Sequence, residues 1–116
     1  MCLLYNMNFI MKLSEPHFTN TKNNKKTVEI RIYDDKRKKL KINDIITFKN
    51  SENNKSFKRK IKNIKVFNSF EKAIKYAKLK NCLPGIKTYK EAIKLYHSFP
   101  NYKKLEKKFG VIAIFF

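Results

Sequence analysis

One short stretch, residues 25–31 (KKTVEIR), combines cationic, acidic and hydroxyl side chains at a regular spacing. Within it Thr27, Glu29 and Arg31 alternate with apolar residues, which is the period of a half-buried strand, so their side chains share one face. Arg31 could then act as a forked donor to a phosphate or a base edge, while Glu29 accepts from an exocyclic amine. Lys26 lies at the mouth of this strand. The alternative is a solvated strand face with a weak ion pair, and periodicity alone favours that alternative.

Other patterns that carry chemistry are absent from the sequence. There is no P-loop, no dinucleotide-binding glycine pattern, no HExxH and no nucleophile elbow. His17 and His97 have no matched partners in the sequence and are interpreted as surface or packing residues. Cys2 and Cys82 are far apart, with no CxxC, so neither a disulfide framework nor a metal site is indicated. We therefore expect no metal, no cofactor and an intracellular, cytoplasmic location.

Strands and helices must position the 25–31 stretch, and their order indicates the fold class. Strands are predicted near Met11 and at residues 27–33, 44–49, 56–67 and 110–116, the last of them almost wholly apolar and hence buried. Helices are predicted at residues 69–80 and 88–99, because each begins with a capping box. Strands, then helices, then a returning strand indicate an α+β domain whose sheet is closed by the last strand.

The size and charge of the chain limit the function classes. Its 116 residues suffice for one domain and exclude an enzyme with separate cofactor and substrate lobes. A net charge of +19 indicates a polyanionic partner, of which nucleic acid is the obvious case. However, all but three of the 28 basic residues are lysine, and asparagine and isoleucine are abundant, as in the product of an AT-rich coding sequence. Charge alone is therefore weak support for that partner.

The amino-terminal segment is predicted to lie outside the domain. Regular patterning begins near Met11, so residues 1–10 are interpreted as an extension or an alternative start, and residues 11–116 as a single domain. The apolar segment 1–13 has no basic leading region and is too short to span a bilayer. No membrane association is expected, and the oligomeric state is left open.

The motifs, in their order, resemble those of the ASCH domain family over residues 11–116. The core of the resemblance is K-x-x-E-x-R, formed here by Lys26, Glu29 and Arg31. Its flanks match at residues 11–18, 34–37, 42–48, 67–71 and 109–111. Two positions differ, since Asn24 and Asn43 stand where the family usually has glycine. Both substitutions suit turns with a left-handed backbone.

The resemblance implies a PUA-like β-barrel of about five or six strands with helices packed around a cleft. It also implies binding of RNA, or of a nucleoside or nucleotide, in a cleft lined by the K-x-x-E-x-R residues. Tyr33 could add a stacking surface. The expected ligand-binding residues are Lys25, Lys26, Thr27, Glu29, Arg31 and Tyr33.

An amidohydrolase is the alternative function, because some relatives remove the acetyl group from acetylated cytidine. Their catalytic set is a lysine of the motif, a threonine three residues later and a glutamate opening a later helix. Lys26 and Glu91 match, but Glu29 occupies the threonine position. Thr27 is displaced by about 6.6 Å along the strand, too far for a simple replacement. The set would then be Lys26, Glu29 and Glu91, with the Glu29 carboxylate and Lys26 activating water.

Glu91 also has a purely structural explanation, because an acid is favoured at the third position of a capping box. A third possible function is that of a protein-interaction module whose basic face binds an acidic protein. It differs from the other two in that a small ligand would not perturb the cleft residues.

Overall fold

The computed structural model describes residues 8–116, and within them it shows the predicted α+β class. The strands are β1 Asn8–Leu13, β2 Val28–Ile32, β3 Ile45–Asn50, β4 Ser56–Lys60, β5 Asn63–Phe67 and β6 Val111–Phe115. The helices are α1 His17–Lys22, α2 Phe70–Ala77, α3 Leu79–Cys82, α4 Tyr89–His97 and α5 Tyr102–Phe109, with a short 3-10 turn at Arg37–Lys39. Residues 8–10 of the predicted extension belong to β1, and residues 1–7 lie outside the described part.

The described strands form two three-stranded sheets rather than the closed barrel that the resemblance implied. In one sheet β3 lies between β1, to which it is parallel, and β4, to which it is antiparallel. In the other, β6 lies antiparallel between β2 and β5. Only Ile61 and Lys62 separate β4 from β5, so the predicted strand 56–67 bends from one sheet into the other.

On the opposite side, no backbone ladder joins the two sheets within residues 8–116. Arg31, on edge strand β2, donates from Nη2 to the carbonyl oxygen of Lys12 on edge strand β1, at 2.9 Å. A side chain bridges the two edges where a closed barrel would have backbone hydrogen bonds. This opening between β1 and β2 is where the candidate site lies.

Strand β6 supplies side chains to two hydrophobic cores, one on each face of its sheet. Val111 and Ala113 pack with the helices and with Val28 of β2, whereas Ile112 and Ile114 pack against the other sheet. All four of these β6 residues are at most 1% exposed. The prediction that the last strand is buried is therefore confirmed.

Local turn chemistry explains where the elements begin and end. The Ser69 and Thr88 hydroxyls accept hydrogen bonds from backbone N–H groups three residues later, which confirms both predicted helix starts. The predicted helix 69–80 is interrupted, because Lys78 adopts a φ of 75° and separates α2 from α3. Asn24 and Asn43 have φ values of 63° and 78°, which confirms the predicted left-handed turns. Among residues 8–116 no helix is long and apolar enough to cross a membrane.

Gly110, which joins α5 to β6, is expected to tolerate no side chain. Its φ is +74°, and a Cβ added there would lie 2.6 Å from the carbonyl oxygen of Phe67. Gly85 is a matched control, since it has a φ of +92° with no atom within 4 Å of such a Cβ. Gly110→Ala should lower the free energy of unfolding by at least about 2 kcal/mol, and Gly85→Ala by about 1 kcal/mol. If urea denaturation shows that the two substitutions lower the free energy of unfolding equally, the close approach of Gly110 to Phe67 is contradicted.

Candidate functional site

A cavity of about 150 Å³ lies between the end of β1, the start of α1, the middle of β2 and the helices α4 and α5. A cavity of this volume holds a single six-membered ring. Its wall combines a charged side with an apolar one. The charged side is built from Lys26, Glu29 and Arg31 of the K-x-x-E-x-R motif, and the aromatic residues Tyr96, Phe99 and Tyr102 face them.

Lys26 lies buried beneath the charged side of the cavity, and all three N–H donors of its ammonium group have partners within the protein. The residue is only 2% exposed. Its Nζ donates to the carbonyl oxygens of Val28 (2.8 Å) and Cys82 (2.6 Å) and lies 3.0 Å from Oε1 of Glu29. An ammonium has three donors, so all of them are committed within the protein. Lys26 therefore supplies charge beneath the cavity but has no donor left for a ligand.

The turn between α1 and β2 explains why Lys26 is buried here. The left-handed residue Asn24 reverses the chain after α1, and the backbone N–H groups of Lys25 and Lys26 both donate to the carbonyl oxygen of Asn20, at 2.9 Å. The next residue, Thr27, donates from its backbone N–H to the carbonyl oxygen of Asn81, at 3.0 Å. The Lys26 side chain is thereby directed inward, toward Cys82.

Glu29 links the two cations of the site. Its Oε1 contacts Lys26, while its Oε2 accepts from Nε of Arg31 at 2.7 Å. Burial raises the pKa of the Glu29 carboxyl, but the attraction of Lys26 and of Arg31 outweighs burial and holds that pKa at about 2. Two cations against one carboxylate leave the site with a net positive charge.

Arg31 is the charged residue of the site with donors to spare. Nε is held by Glu29 and one Nη2 donor by the Lys12 carbonyl oxygen. A guanidinium carries five N–H donors, and among the described residues the others have no hydrogen-bond partner. The side chain is 16% exposed, so these donors reach the cavity. The arrangement can therefore bind an anion or a carbonyl oxygen in a fixed orientation.

The apolar side of the cavity is an aromatic cluster at the junction of α4 and α5. Tyr96 stacks on Phe70 with ring centroids 4.4 Å apart, and Phe99 lies 5.1 Å from Tyr102. Burial raises the pKa of the Tyr96 hydroxyl well above its ordinary value, so it remains a protonated donor. Tyr96 and Phe99 fall within the predicted helix 88–99, but helical spacing does not distinguish a cavity wall from a core, so the sequence did not mark them as site residues.

His17 was also missed as a cavity residue. It lies at the start of α1, half-buried, and lines the cavity instead of serving as a simple surface residue. Burial, and secondarily the charge of Lys26, lower the pKa of the His17 imidazole, which favours its neutral form. The other histidine has a partner after all, since Nε2 of His97 lies 2.7 Å from Oε1 of Glu106. Neither position carried a sequence signal beyond the residue type.

Four residues predicted for the site do not line the cavity. Lys25 is exposed, and Thr27 and Tyr33 flank β2 on either side, whereas the cavity meets β2 only at residues 29–31. Tyr33 instead packs at the edge of the core between the sheets. Glu91 is exposed in the first turn of α4, while the cavity is lined by the last turn of that helix. The structure thus brings together Lys26, Glu29 and Arg31 but not Glu91.

Metal binding and thiol chemistry receive no support from the described residues. Within residues 8–116 no group of three or more His, Cys, Asp or Glu side chains could hold a metal ion. The Cys82 thiol is free, and burial raises its pKa to about 11, so it is not a thiolate at neutral pH.

The fold and the site define a class of small α+β domain in which a charged cavity opens between the edges of two sheets. The model of the ASCH domain family matches residues 11–116, and the chain belongs to this family. The resemblance noted in the sequence is therefore confirmed. Among curated proteins no match is found.

Two solved structures resemble this chain over nearly its whole length. The crystal structure of the hypothetical protein PH0355 has 39% sequence identity and a TM-score of 0.84, covering 94% of this chain and 96% of its own. The solution structure of protein PF0455 from Pyrococcus furiosus has 38% identity and a TM-score of 0.74, covering 93% and 94%. The α+β architecture is thus shared with solved structures.

The buried carboxylate makes a testable contribution to stability. Because the folded-state pKa of Glu29 is lowered, its contribution is fully present above the ordinary pKa of 4.5 and is lost as the pH falls from there toward about 2. At pH 7, Glu29→Gln should lower the free energy of unfolding by roughly 3 kcal/mol, because Lys26 loses its buried counter-charge. The difference in the free energy of unfolding between Glu29→Gln and wild type, measured by urea denaturation, should become smaller below pH 4.5.

The matched control is Glu71→Gln, which breaks an exposed ion pair with Lys75. It should cost less than about 1 kcal/mol at pH 7. If Glu29→Gln lowers the free energy of unfolding no more than Glu71→Gln does, or if its effect stays the same below pH 4.5, the proposed role of the Glu29 charge is contradicted.

Proposed function

We propose that this protein binds single-stranded RNA inside the cell and takes one base into the cavity between β1 and β2. The observation that carries the proposal is a ring-sized cavity in which the unpaired donors of Arg31 face aromatic side chains. ASCH domains are generally thought to bind RNA, and membership of that family agrees with this function. A free nucleoside or nucleotide whose base enters the cavity would use the same contacts.

Recognition is assigned to Arg31, with Lys26 and Glu29 as the residues that hold it. Its guanidinium would donate to a carbonyl oxygen or ring nitrogen of the base, or to a neighbouring phosphate. Glu29 fixes the direction of the guanidinium through Nε, and Lys26 keeps Glu29 ionised. This division of roles differs from the sequence expectation that Lys26 itself would contact the ligand.

The aromatic side of the cavity supplies stacking, which every base can use. Stacking of a base on an aromatic side chain contributes about 1–3 kcal/mol. Phe99 is 43% exposed at the edge of the cavity. A bound base would cover it. The net charge of +19 would add sequence-independent, salt-sensitive attraction for the RNA backbone.

Substitution of Arg31 should therefore impair RNA binding more than loss of one charge elsewhere. We expect Arg31→Ala to weaken binding of a mixed-sequence RNA of about ten nucleotides at least tenfold, since a charged hydrogen bond contributes about 1.5–3 kcal/mol. Fluorescence anisotropy at fixed salt is the measurement. Arg31→Lys, which keeps the charge but loses the fork, should fall between wild type and Arg31→Ala.

The matched control is Arg59→Ala, because Arg59 contacts Phe57 and the Lys22 carbonyl oxygen away from the cavity. It should weaken binding less than about threefold. Equal losses at Arg31 and Arg59 would show that charge alone attracts the RNA, and the cavity would then have no role.

The amidohydrolase alternative gains no specific support from the site geometry. All three donors of Lys26 are bonded within the protein, and Glu91 lies outside the cavity. Incubation with acetylated cytidine, followed by chromatography for free cytidine, should give no product above a protein-free control. Release of cytidine by wild type, abolished in Lys26→Met, would replace the binding proposal with the enzymatic one.

A further inference from the structure

A second groove lies beside the cavity, at the end of β1 and the β3–β4 turn. Its volume is about 360 Å³. The lining residues are all either lysine or neutral and polar: Lys12, Lys49, Asn50, Ser51, Asn53, Asn54, Lys55 and Ser56. A lining with three cations, no carboxylate and no apolar side chain is suited to phosphate rather than to a base.

Strand register and turn chemistry place the three lysines around this groove. Lys12 and Lys49 are directly paired across the parallel strands β1 and β3, so they are side by side at about 4.8 Å between strands. The turn that follows is folded by side-chain amides. Oδ1 of Asn50 accepts from the Glu52 backbone N–H at 2.9 Å, and Oδ1 of Asn53 accepts from the Lys55 backbone N–H at 2.8 Å.

Like most lysines of residues 8–116, the three lysines of the groove have no acidic partner. In the described part of the chain none of them forms an ion pair, although exposed pairs such as Lys75–Glu71 do occur. The carboxylate of Glu15 lies at the edge of the groove, where its Oε2 accepts from Nδ2 of the lining residue Asn50 at 3.3 Å, and its other hydrogen bonds are with Thr19. Three like charges around one groove repel one another, and an anion bound among them would relieve this repulsion.

Lys12 connects the groove with the cavity. Lys12 lines both the groove and the cavity, and its backbone carbonyl oxygen accepts a hydrogen bond from Nη2 of Arg31. A strand of RNA whose base is held at Arg31 would therefore have its adjoining phosphates next to Lys12. Because Lys12 joins the groove to the cavity, the lysines of the groove differ from the many other lysines on the surface of this lysine-rich chain.

We propose that the groove of Lys12, Lys49 and Lys55 binds the backbone phosphates that adjoin the base held in the cavity. This role depends on the RNA binding proposed above and adds to it a direction for the strand, from the cavity across the end of β1 toward the β3–β4 turn. The groove reads no sequence, because it contacts phosphate alone. It sets the position of the strand and contributes salt-dependent affinity.

The test compares two triple variants that remove the same charge. The groove variant is Lys12→Gln, Lys49→Gln and Lys55→Gln. The control is Lys72→Gln, Lys107→Gln and Lys108→Gln, which neutralises another open groove, one that contains the carboxylate of Glu106. Affinity for the RNA of about ten nucleotides is measured by anisotropy over a range of salt concentrations.

For single strands the slope of log affinity against log salt is about −0.7 per phosphate contact. The groove variant should therefore lose up to about 2 of this slope and bind at least tenfold more weakly in low salt. The control should stay within about threefold of wild type. Affinity for uridine and cytidine, which have no phosphate, should be the same in wild type, in the control variant and in the double variant Lys49→Gln and Lys55→Gln, which keeps the cavity-lining Lys12.

The outcomes separate the two proposals. Equal effects of the groove and control variants on RNA binding overturn the phosphate groove, while a selective effect of Arg31→Ala would leave the cavity proposal standing. If wild type binds no RNA, the proposed function fails and the groove fails with it. If the groove variant does not fold, the groove is tested instead by following the amide chemical shifts of wild type during a titration with RNA. Added RNA must then perturb Ser51 and Asn53 more than Lys107 and Lys108, and a uniform response overturns the groove.

Discussion

The structure depends on one constraint, which is that the ammonium group of Lys26 must be satisfied where water does not reach it. An uncompensated buried charge is far too costly to retain. Two backbone carbonyl oxygens and the Glu29 carboxylate meet this requirement. One of those carbonyls belongs to Cys82, at the end of α3, so the lysine ties the first residues of β2 to the helical layer. Together with the hydrogen bond from the Thr27 backbone N–H to the Asn81 carbonyl oxygen, this bonding attaches the start of β2 to α3.

The open edge between the two sheets follows from the same set of charges. Glu29, held by Lys26, orients Arg31, and Arg31 reaches across to the Lys12 carbonyl oxygen. This side-chain bridge spans the gap between β1 and β2, which belong to different sheets. The gap that remains has the volume of a ring, whereas a backbone ladder would have filled it. The stability of the domain and the existence of the cavity therefore depend on the same three side chains.

The sequence predicted the elements better than it predicted the site. Alternation identified β2 and the inward residues Val28 and Ile30, and capping boxes identified the starts of α2 and α4, because these signals are local. The break at Lys78 was not predicted, since a lysine with a left-handed backbone has no sequence signature. His17 and Tyr96 were missed because the cavity unites residues from distant parts of the chain. Burial of Lys26 also could not be predicted, because a lysine before a strand is ordinarily exposed.

The central position of β6 has a consequence for how the chain folds. Each core lacks one of its walls until residues 111–115 insert between β2 and β5. Val28 pairs with Phe115 across most of the described sequence, and such distant pairing slows folding because a long loop must close first. On the ribosome, the earlier strands therefore emerge with their apolar faces uncovered. The lysine-rich surface would help to keep such an incomplete chain from self-association during that interval.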